Sequence, residues 1–450
     1  MNKFRHLFII FSVLTAFGCA ESAFPVATGK GNVRALNSAV TTPDIGFLIE
    51  ERVIGLARYK ESTAVQVYDD LDYVFNFDYQ FAGDIKPTRL ASAPLNLIKD
   101  TDYIFVFLGS LDNAETMIWD NPLREWEDTD TVIEVWFGQL SPDLGEIDVY
   151  FALTGTTPVL GEARATLSYK DRSTVIELPE GEYEFIVTSK DNPADILFIS
   201  RSFNYVSRLT YLVSTFDTDP SITSPVSARI ISESGASIEL ANVDSPPTLR
   251  IFHAAITTGS VDVYRDADFS APLIANTGYA EASTPVSTPQ EEVTYTFTDA
   301  GNVGSIVLEE DFALFDGHRT TRFLVGETPD FATLLTVDNV RPIADRTKIR
   351  FIQTSINQSG VDIYVVETGT DIEDAIPRFF NVTSLSNTGY TNVIERDYEV
   401  FVTVTLTKDI LAGPFALSAT DGDIVHFAIV DNVDPTILDL VKYDHLGLVP

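Results

Sequence analysis

Along most of the chain, apolar and polar side chains alternate with a period of two, in short runs. Clear cases are Tyr103-Ile-Phe-Val-Phe107, Tyr183-Glu-Phe-Ile-Val187, Val293-Thr-Tyr-Thr-Phe297 and Tyr398-Glu-Val-Phe-Val402. Clusters of Gly, Pro, Asn, Asp and Ser separate them. That pattern predicts β-strands joined by turns. No segment keeps a helical period over three turns. The chain therefore reads as all-β.

One phrase recurs four times: Val65-Gln-Val-Tyr68, Ile147-Asp-Val-Tyr150, Val261-Asp-Val-Tyr264 and Val361-Asp-Ile-Tyr364. Each follows a short apolar run, among them Ile133-Glu-Val-Trp-Phe137, Leu249-Arg-Ile-Phe-His253 and Ile349-Arg-Phe-Ile352. In the last three copies a polar, Gly-containing turn lies between. Internal repetition at this spacing indicates tandem units. Units of about 80 to 115 residues with short strands fit the immunoglobulin-like sandwich size class. Four tandem antiparallel β-sandwiches are expected, over 45–131, 132–248, 249–346 and 347–450, the first divergent. The signature positions are Tyr68, Asp148, Tyr150, Asp262, Tyr264, Asp362 and Tyr364. Within each phrase the two apolar residues should face the core, and the Asp and Tyr should face outward.

The phrases resemble a bacterial extracytoplasmic family, the domain of unknown function 4397, whose units open with a strand, a Ser/Pro/Asp/Gly turn and Val-Asp-Val-Tyr. Arg250–Tyr264 and Lys348–Tyr364 match best, and Glu134–Tyr150 comes next. The first copy matches least, since Gln66 replaces the Asp. The resemblance implies an exported β-sandwich array and transfers no catalytic residue.

The N-terminus reads as an export signal, residues 1–18. Lys3 and Arg5 precede an apolar stretch from Leu7 to Phe17, too short to span a bilayer as a helix. Ala16-Phe17-Gly18-Cys19 resembles a bacterial lipobox, with bulky Phe17 departing from the usual small residue. The resemblance implies a lipid on Cys19, the sole cysteine of the chain, and anchorage in the cell envelope. Ala20 after the Cys does not look like an inner-membrane retention signal, so the outer membrane is the expected address. Residues 19–44 are then a lipidated Cys and a flexible tether. Cleavage after Ala20 as an ordinary secretory signal is the alternative.

Composition narrows the chemistry. The chain has 450 residues, 45% of them hydrophobic, with 30 basic against 66 acidic side chains and a net charge of −36. That charge repels nucleic acids. One Cys excludes a disulfide framework and any Cys-based metal site. Nucleophile-elbow, phosphate-loop and His-Glu-x-x-His patterns are absent. Acidic clusters make Asp128, Asp130, Asp421 and Asp423 weak calcium candidates, although none follows EF-hand spacing. No catalytic residue and no cofactor is assigned.

The reading that results is a non-enzymatic envelope lipoprotein: a tandem scaffold for binding or adhesion, held to the membrane by an N-terminal lipid, with a protein or glycan partner. As a rod it would extend on the order of 150 Å. The alternatives are a calcium-dependent adhesin, or a hydrolase whose site forms between repeats.

Overall fold

The computed structural model describes residues 25–443. Cys19 and the export signal lie outside these residues. Thirty-five strands and two single 3₁₀ turns form four sandwiches of eight main strands each.

Unit 3 serves as the pattern. Its strands, in order, are Thr248–His253, Val261–Arg265, Ile274–Thr277, Val286–Ser287, Val293–Asp299, Asn302–Phe312, Arg319–Glu327 and Asp330–Val337. One sheet has the order fourth, first, seventh, eighth; the other has third, second, fifth, sixth. The same two orders recur in units 1, 2 and 4, with an extra strand on both sheets of unit 2 and a split fourth strand in unit 4. All neighbours are antiparallel except the first and seventh strands, which run parallel in every unit. That pairing joins residues far apart in sequence, such as Thr248 and Arg319. A parallel pair needs a long crossover, and short-range alternation carries no trace of it.

Each unit has its own core between its two sheets. The inward positions are the apolar ones of the signature strand, as in Val261 and Val263, both fully buried.

Unit 1 begins earlier than its sequence suggests. Lys30–Asn37 is its first strand and lies between the fourth and seventh, so residues 30–44 are domain rather than tether. The polar look of this segment misleads because its Arg34 and Asn37 are themselves buried. The unit-1 signature strand is Ile45–Ile49, with Gly46 at the Asp place and Leu48 at the Tyr place. Gln66–Asp69 is instead the fourth strand, at a sheet edge against Lys30–Val33, so Tyr68 is not a signature residue. A Val-x-Val-Tyr string suits any half-buried strand, and only the longer spacing separates the cases: Arg34 to Gly46 equals Arg250 to Asp262.

The units are not strung as a rod. The outer face of the first-strand sheet of unit 1 packs on its counterpart in unit 2, through Leu36, Ile104, Val106, Trp119, Trp136 and Leu212. Units 3 and 4 pair through the same face, with Phe252, Phe323, Ile352, Ala428 and Tyr443. The two pairs then touch. Ala344 N–H donates to the Thr41 carbonyl at 2.8 Å, and Thr223 N–H to the Gly317 carbonyl at 2.7 Å. Strands buried on both faces lose alternation and read as continuous apolar runs. Ile424-Val-His-Phe-Ala-Ile429 is one of them, buried throughout.

Candidate functional site

The signature carboxylates stand on the outer face of the sheet opposite the paired one, but they are not solvated. Asp148, Asp262 and Asp362 are all buried. Asp262 accepts from the Asn276 amide at 2.7 Å and the Gly301 amide at 2.8 Å. Asp362 accepts from Asn381 at 2.7 Å and Leu406 at 2.9 Å. Asp148 accepts from the Asp191 amide at 2.8 Å and from the Thr166 hydroxyl at 2.5 Å. Gly301, Leu406 and Asp191 hold the same place in the tight turn between the fifth and sixth strands, each with positive φ (73°, 64° and 57°). One carboxylate thus fastens that turn and the third strand together. In unit 1 the corresponding connection is a long loop, 80–87, and Gly46 replaces the Asp.

The signature tyrosines also face outward and are also buried, at 5%, 4% and 2% exposure for Tyr150, Tyr264 and Tyr364. The loop between the second and third strands covers them. The Tyr264 hydroxyl lies 3.5 Å from Asp262.

A second repeated position is invisible in the phrase itself. Asn37, Gln139, His253 and Gln353 stand three residues after Arg34, Trp136, Arg250 and Arg350, and all four are fully buried. Each offers one acceptor and one donor to the loop that follows. Gln139 accepts from Ser141 N–H at 2.5 Å and donates to the Ser141 carbonyl at 2.8 Å. Asn37 accepts from Ala39 N–H and donates to the Thr42 hydroxyl, both at 2.9 Å. Gln353 accepts from Ser355 N–H at 3.1 Å. His253 Nδ1 faces Ala255 N–H at 3.3 Å and Nε2 faces the Gly259 carbonyl at 2.8 Å, which assigns the neutral tautomer. Burial pulls its pKa down, in agreement, while the Gly259 carbonyl opposes the shift. Asn, Gln and neutral His share the needed pair of an acceptor and a donor.

A further group of paired charges lies where units 1 and 2 meet the connection between units 3 and 4. Lys60 of unit 1 reaches Glu239 at 2.6 Å and Asp219 at 3.4 Å in unit 2. Burial pushes the Asp219 carboxyl up, but Lys60 and the Ser221 amide outweigh it and hold its pKa below the ordinary value. Arg341, from the connection between units 3 and 4, donates to the Val40 and Thr42 carbonyls and lies over the Tyr59 ring. Lys348 is pulled down to about 7 by burial and by its neighbour Arg341. Its ammonium donates to the Asn339 carbonyl, Asn339 Oδ1 and the Arg341 carbonyl at 2.7–2.8 Å. All three protons are spent, so Lys348 is not poised as a nucleophile despite its pKa.

An open cleft of about 710 Å³ lies between units 2 and 3, lined by Arg201, Asp244, Pro246, Gln290 and Glu291. It contains no nucleophile with an adjacent base. The calcium candidates do not converge on a site. Asp128 pairs with Arg208 at 3.0 Å, Asp130 accepts from the Glu127 amide, and Asp421 borders a separate hollow with Asp345 and Glu395. Among the described residues no three His, Cys, Asp or Glu are grouped to hold a metal. Among them, too, no helix is long and apolar enough to cross a membrane.

Fold and repeats define an array of paired, eight-stranded β-sandwiches. Residues 247–364 match the family described as "Domain of unknown function (DUF4397)". That stretch covers unit 3 and continues to the signature Tyr364 of unit 4, so this part of the chain is a DUF4397-like domain. No curated protein matches. Among solved structures, the chain is similar to family 41 carbohydrate-binding modules from streptococcal virulence factors, at 10% identity over 42% of this chain and 94% of that one (TM-score 0.16). It is also similar to a family 26 carbohydrate-binding module of Eubacterium rectale in complex with maltoheptaose, at 13% identity over 46% and 98% (TM-score 0.17). The Bacillus anthracis TIE protein aligns at 10% identity over 90% and 69% (TM-score 0.16). Overlays this loose carry no argument about ligand.

Proposed function

We propose that the protein is a non-enzymatic cell-envelope lipoprotein, anchored through Cys19 in the outer membrane, that presents a rigid block of four β-sandwiches to a protein or glycan partner. The observation that carries the reading is where the ionisable groups go. Lys60, Asp219 and Lys348 are buried and Arg341 is half-buried, all committed to contacts between units or to the connections that join them, and the signature carboxylates are committed to turns. Perturbed groups at a catalytic site are instead expected to face a cleft. Fixing four units in one body lowers the entropy lost when a partner is bound across several of them. Partner contacts are expected on the loops, which such a scaffold holds in fixed relative positions.

Metabolic labelling with radioactive palmitate, followed by membrane fractionation, tests the anchor. Label should enter the wild-type chain and sediment with outer membranes, and Cys19→Ser should abolish both. An unlabelled chain recovered as a soluble, cleaved form would overturn the lipoprotein reading.

A further inference from the structure

We propose that unit 4 docks a basic protein segment on an exposed apolar patch made by Ile376, Phe380 and Leu406. This rests on the display reading above and chooses between the two kinds of partner it allows.

Three segments of unit 4 meet at the patch. The Lys408 ammonium donates to the Ile372 and Ala375 carbonyls, both at 2.6 Å. It thereby holds the loop between the second and third strands against the turn between the fifth and sixth. The Asp362 carboxylate ties Asn381, on the third strand, to Leu406 in that turn. Ile376, Phe380 and Leu406 stand around this junction and are 78%, 60% and 87% exposed.

The fold does not require these side chains. Phe379 faces Ile363 in unit 4 as Ile274 faces Val263 in unit 3. Counting from that pair, Ala271 and Ala275 hold the places of Ile376 and Phe380. Gly301 holds the place of Leu406, which has φ 64°. A leucine is strained in that conformation and a glycine is not. Unit 4 thus carries three large apolar side chains where unit 3 has two alanines and a glycine, and leaves all three in water. Clustered apolar exposure of this kind marks an interaction surface.

Charge selects the partner. The same loop and turn carry Asp371, Glu373, Asp374 and Asp409, all exposed, and among the described residues none of them makes an ion pair. The neighbouring cations are turned elsewhere, Lys408 to the two carbonyls and Arg378 to the Thr391 hydroxyl and the Asn392 carbonyl. This rim and a net charge of −36 repel an anionic lipid surface and a second copy of the chain. A neutral glycan would leave the four carboxylates without counter-charge. A protein segment with apolar side chains between Lys or Arg residues meets both demands, apolar contact at the centre and opposite charge at the rim.

The test uses the full chain and three acetylated, amidated peptides as probes: Lys-Leu-Lys-Phe-Lys, the acidic Glu-Leu-Glu-Phe-Glu and the polar Lys-Ser-Lys-Ser-Lys. Saturation-transfer NMR titrations read binding. The first peptide should bind, the second should not, and the third should bind at least fivefold more weakly than the first. Leu406→Gly and Phe380→Ala, which copy unit 3, should each weaken the first peptide about tenfold, with circular dichroism unchanged. If both variants bind it as wild type does, the peptide is held elsewhere by net charge and the patch is wrong. Equal binding of the polar basic peptide, or no binding of the first, overturns the proposal as well. So does flotation with phosphatidylglycerol vesicles, or self-association in sedimentation velocity, that is lost in Leu406→Gly, since the occupant is then a membrane or a second copy. The palmitate experiment judges the anchor separately.

Discussion

The signature aspartate is the most exacting place to test the account of the fold, and Asp262→Ala is the perturbation. Asp262 is 5% exposed and holds two amides, at 2.7 and 2.8 Å. Both sit in the left-handed region, Asn276 at φ 50° and Gly301 at φ 73°. A buried donor stripped of its acceptor costs about 1–3 kcal/mol. Two of them give an upper bound near 6 kcal/mol, but Asn276 and Gly301 themselves are exposed. Water can therefore replace part of the loss, and we expect about 2–3 kcal/mol in total. At about 1.4 kcal/mol per tenfold, the local opening constant should rise roughly 30- to 150-fold. A four-unit chain need not unfold in one step, so the fitting assay is native-state hydrogen exchange at the Asn276 and Gly301 amides, with the Asp362 turn as internal reference. Asp262→Asn should fall between wild type and Ala, because it keeps one acceptor oxygen and turns an NH₂ toward the other amide. A change below about threefold at both amides in Asp262→Ala would refute the claim that the carboxylate fastens the turn, since each bond is expected to contribute near 1 kcal/mol or more.

Three further outcomes follow from the same structure. Asp338 is fully buried between Arg350, at 2.5 Å, and Arg250, at 3.6 Å, so Asp338→Asn removes the carboxylate charge that both buried guanidinium groups face. It should destabilise the pairing of units 3 and 4 by about 3–5 kcal/mol, read as a lower melting transition or earlier protease cleavage within 247–443. Leu406 is 87% exposed with φ 64°, so Leu406→Gly relieves backbone strain at no cost in burial and should stabilise unit 4 by about 0.5–1 kcal/mol in denaturant titration. Small-angle scattering of a 24–450 fragment should give a radius of gyration of about 22–25 Å, near the scaling of a compact chain. A value near 43 Å, as for a rod of about 150 Å, would refute the packed arrangement.

The all-β class, the four-fold repetition and the sandwich cores were legible in sequence, because alternation and turn chemistry are local signals. The family resemblance was legible in the same Arg250–Tyr264 and Lys348–Tyr364 phrases that fall within the matched segment. Three things were not. The parallel pair joins the first and seventh strands, and no local pattern encodes so distant a register. The start of unit 1 was hidden because Gly46 replaces the Asp, while the chance likeness of Val65–Tyr68 drew the alignment away. The face of the signature Asp and Tyr was legible, but their burial was not. An outward-facing residue is solvated only if no loop covers it, and here the turn and the loop between the second and third strands do.

The packing of units in pairs leaves a trace that was on the page but needed the structure to interpret. Arg34, Trp136, Arg250 and Arg350 occupy one repeat position, on the outer face of the first strand, and all are buried. A solitary sandwich would expose that position, where an arginine needs no explanation. Burying it requires a neighbouring surface and a counter-charge, which Asp102 supplies to Arg34 at 2.7 Å and Asp338 to the other two arginines. Unit 2 solves the same problem with an apolar side chain: Trp136 meets Trp119 of unit 1 edge-on, ring centres 5.6 Å apart. Two residues on, Gly138 lies so close to Trp119 that an added Cβ would come within 2.6 Å of the indole. Both pairs therefore use one face of one sheet, one closed by an arginine, a tryptophan and a glycine and the other by two arginines about a shared aspartate. Each seam is matched to its own partner: a fourth arginine in place of Trp136 would lose the edge-on contact with Trp119. The order of units along the chain thus selects which sandwiches join, and the charge placed at one repeated position enforces it.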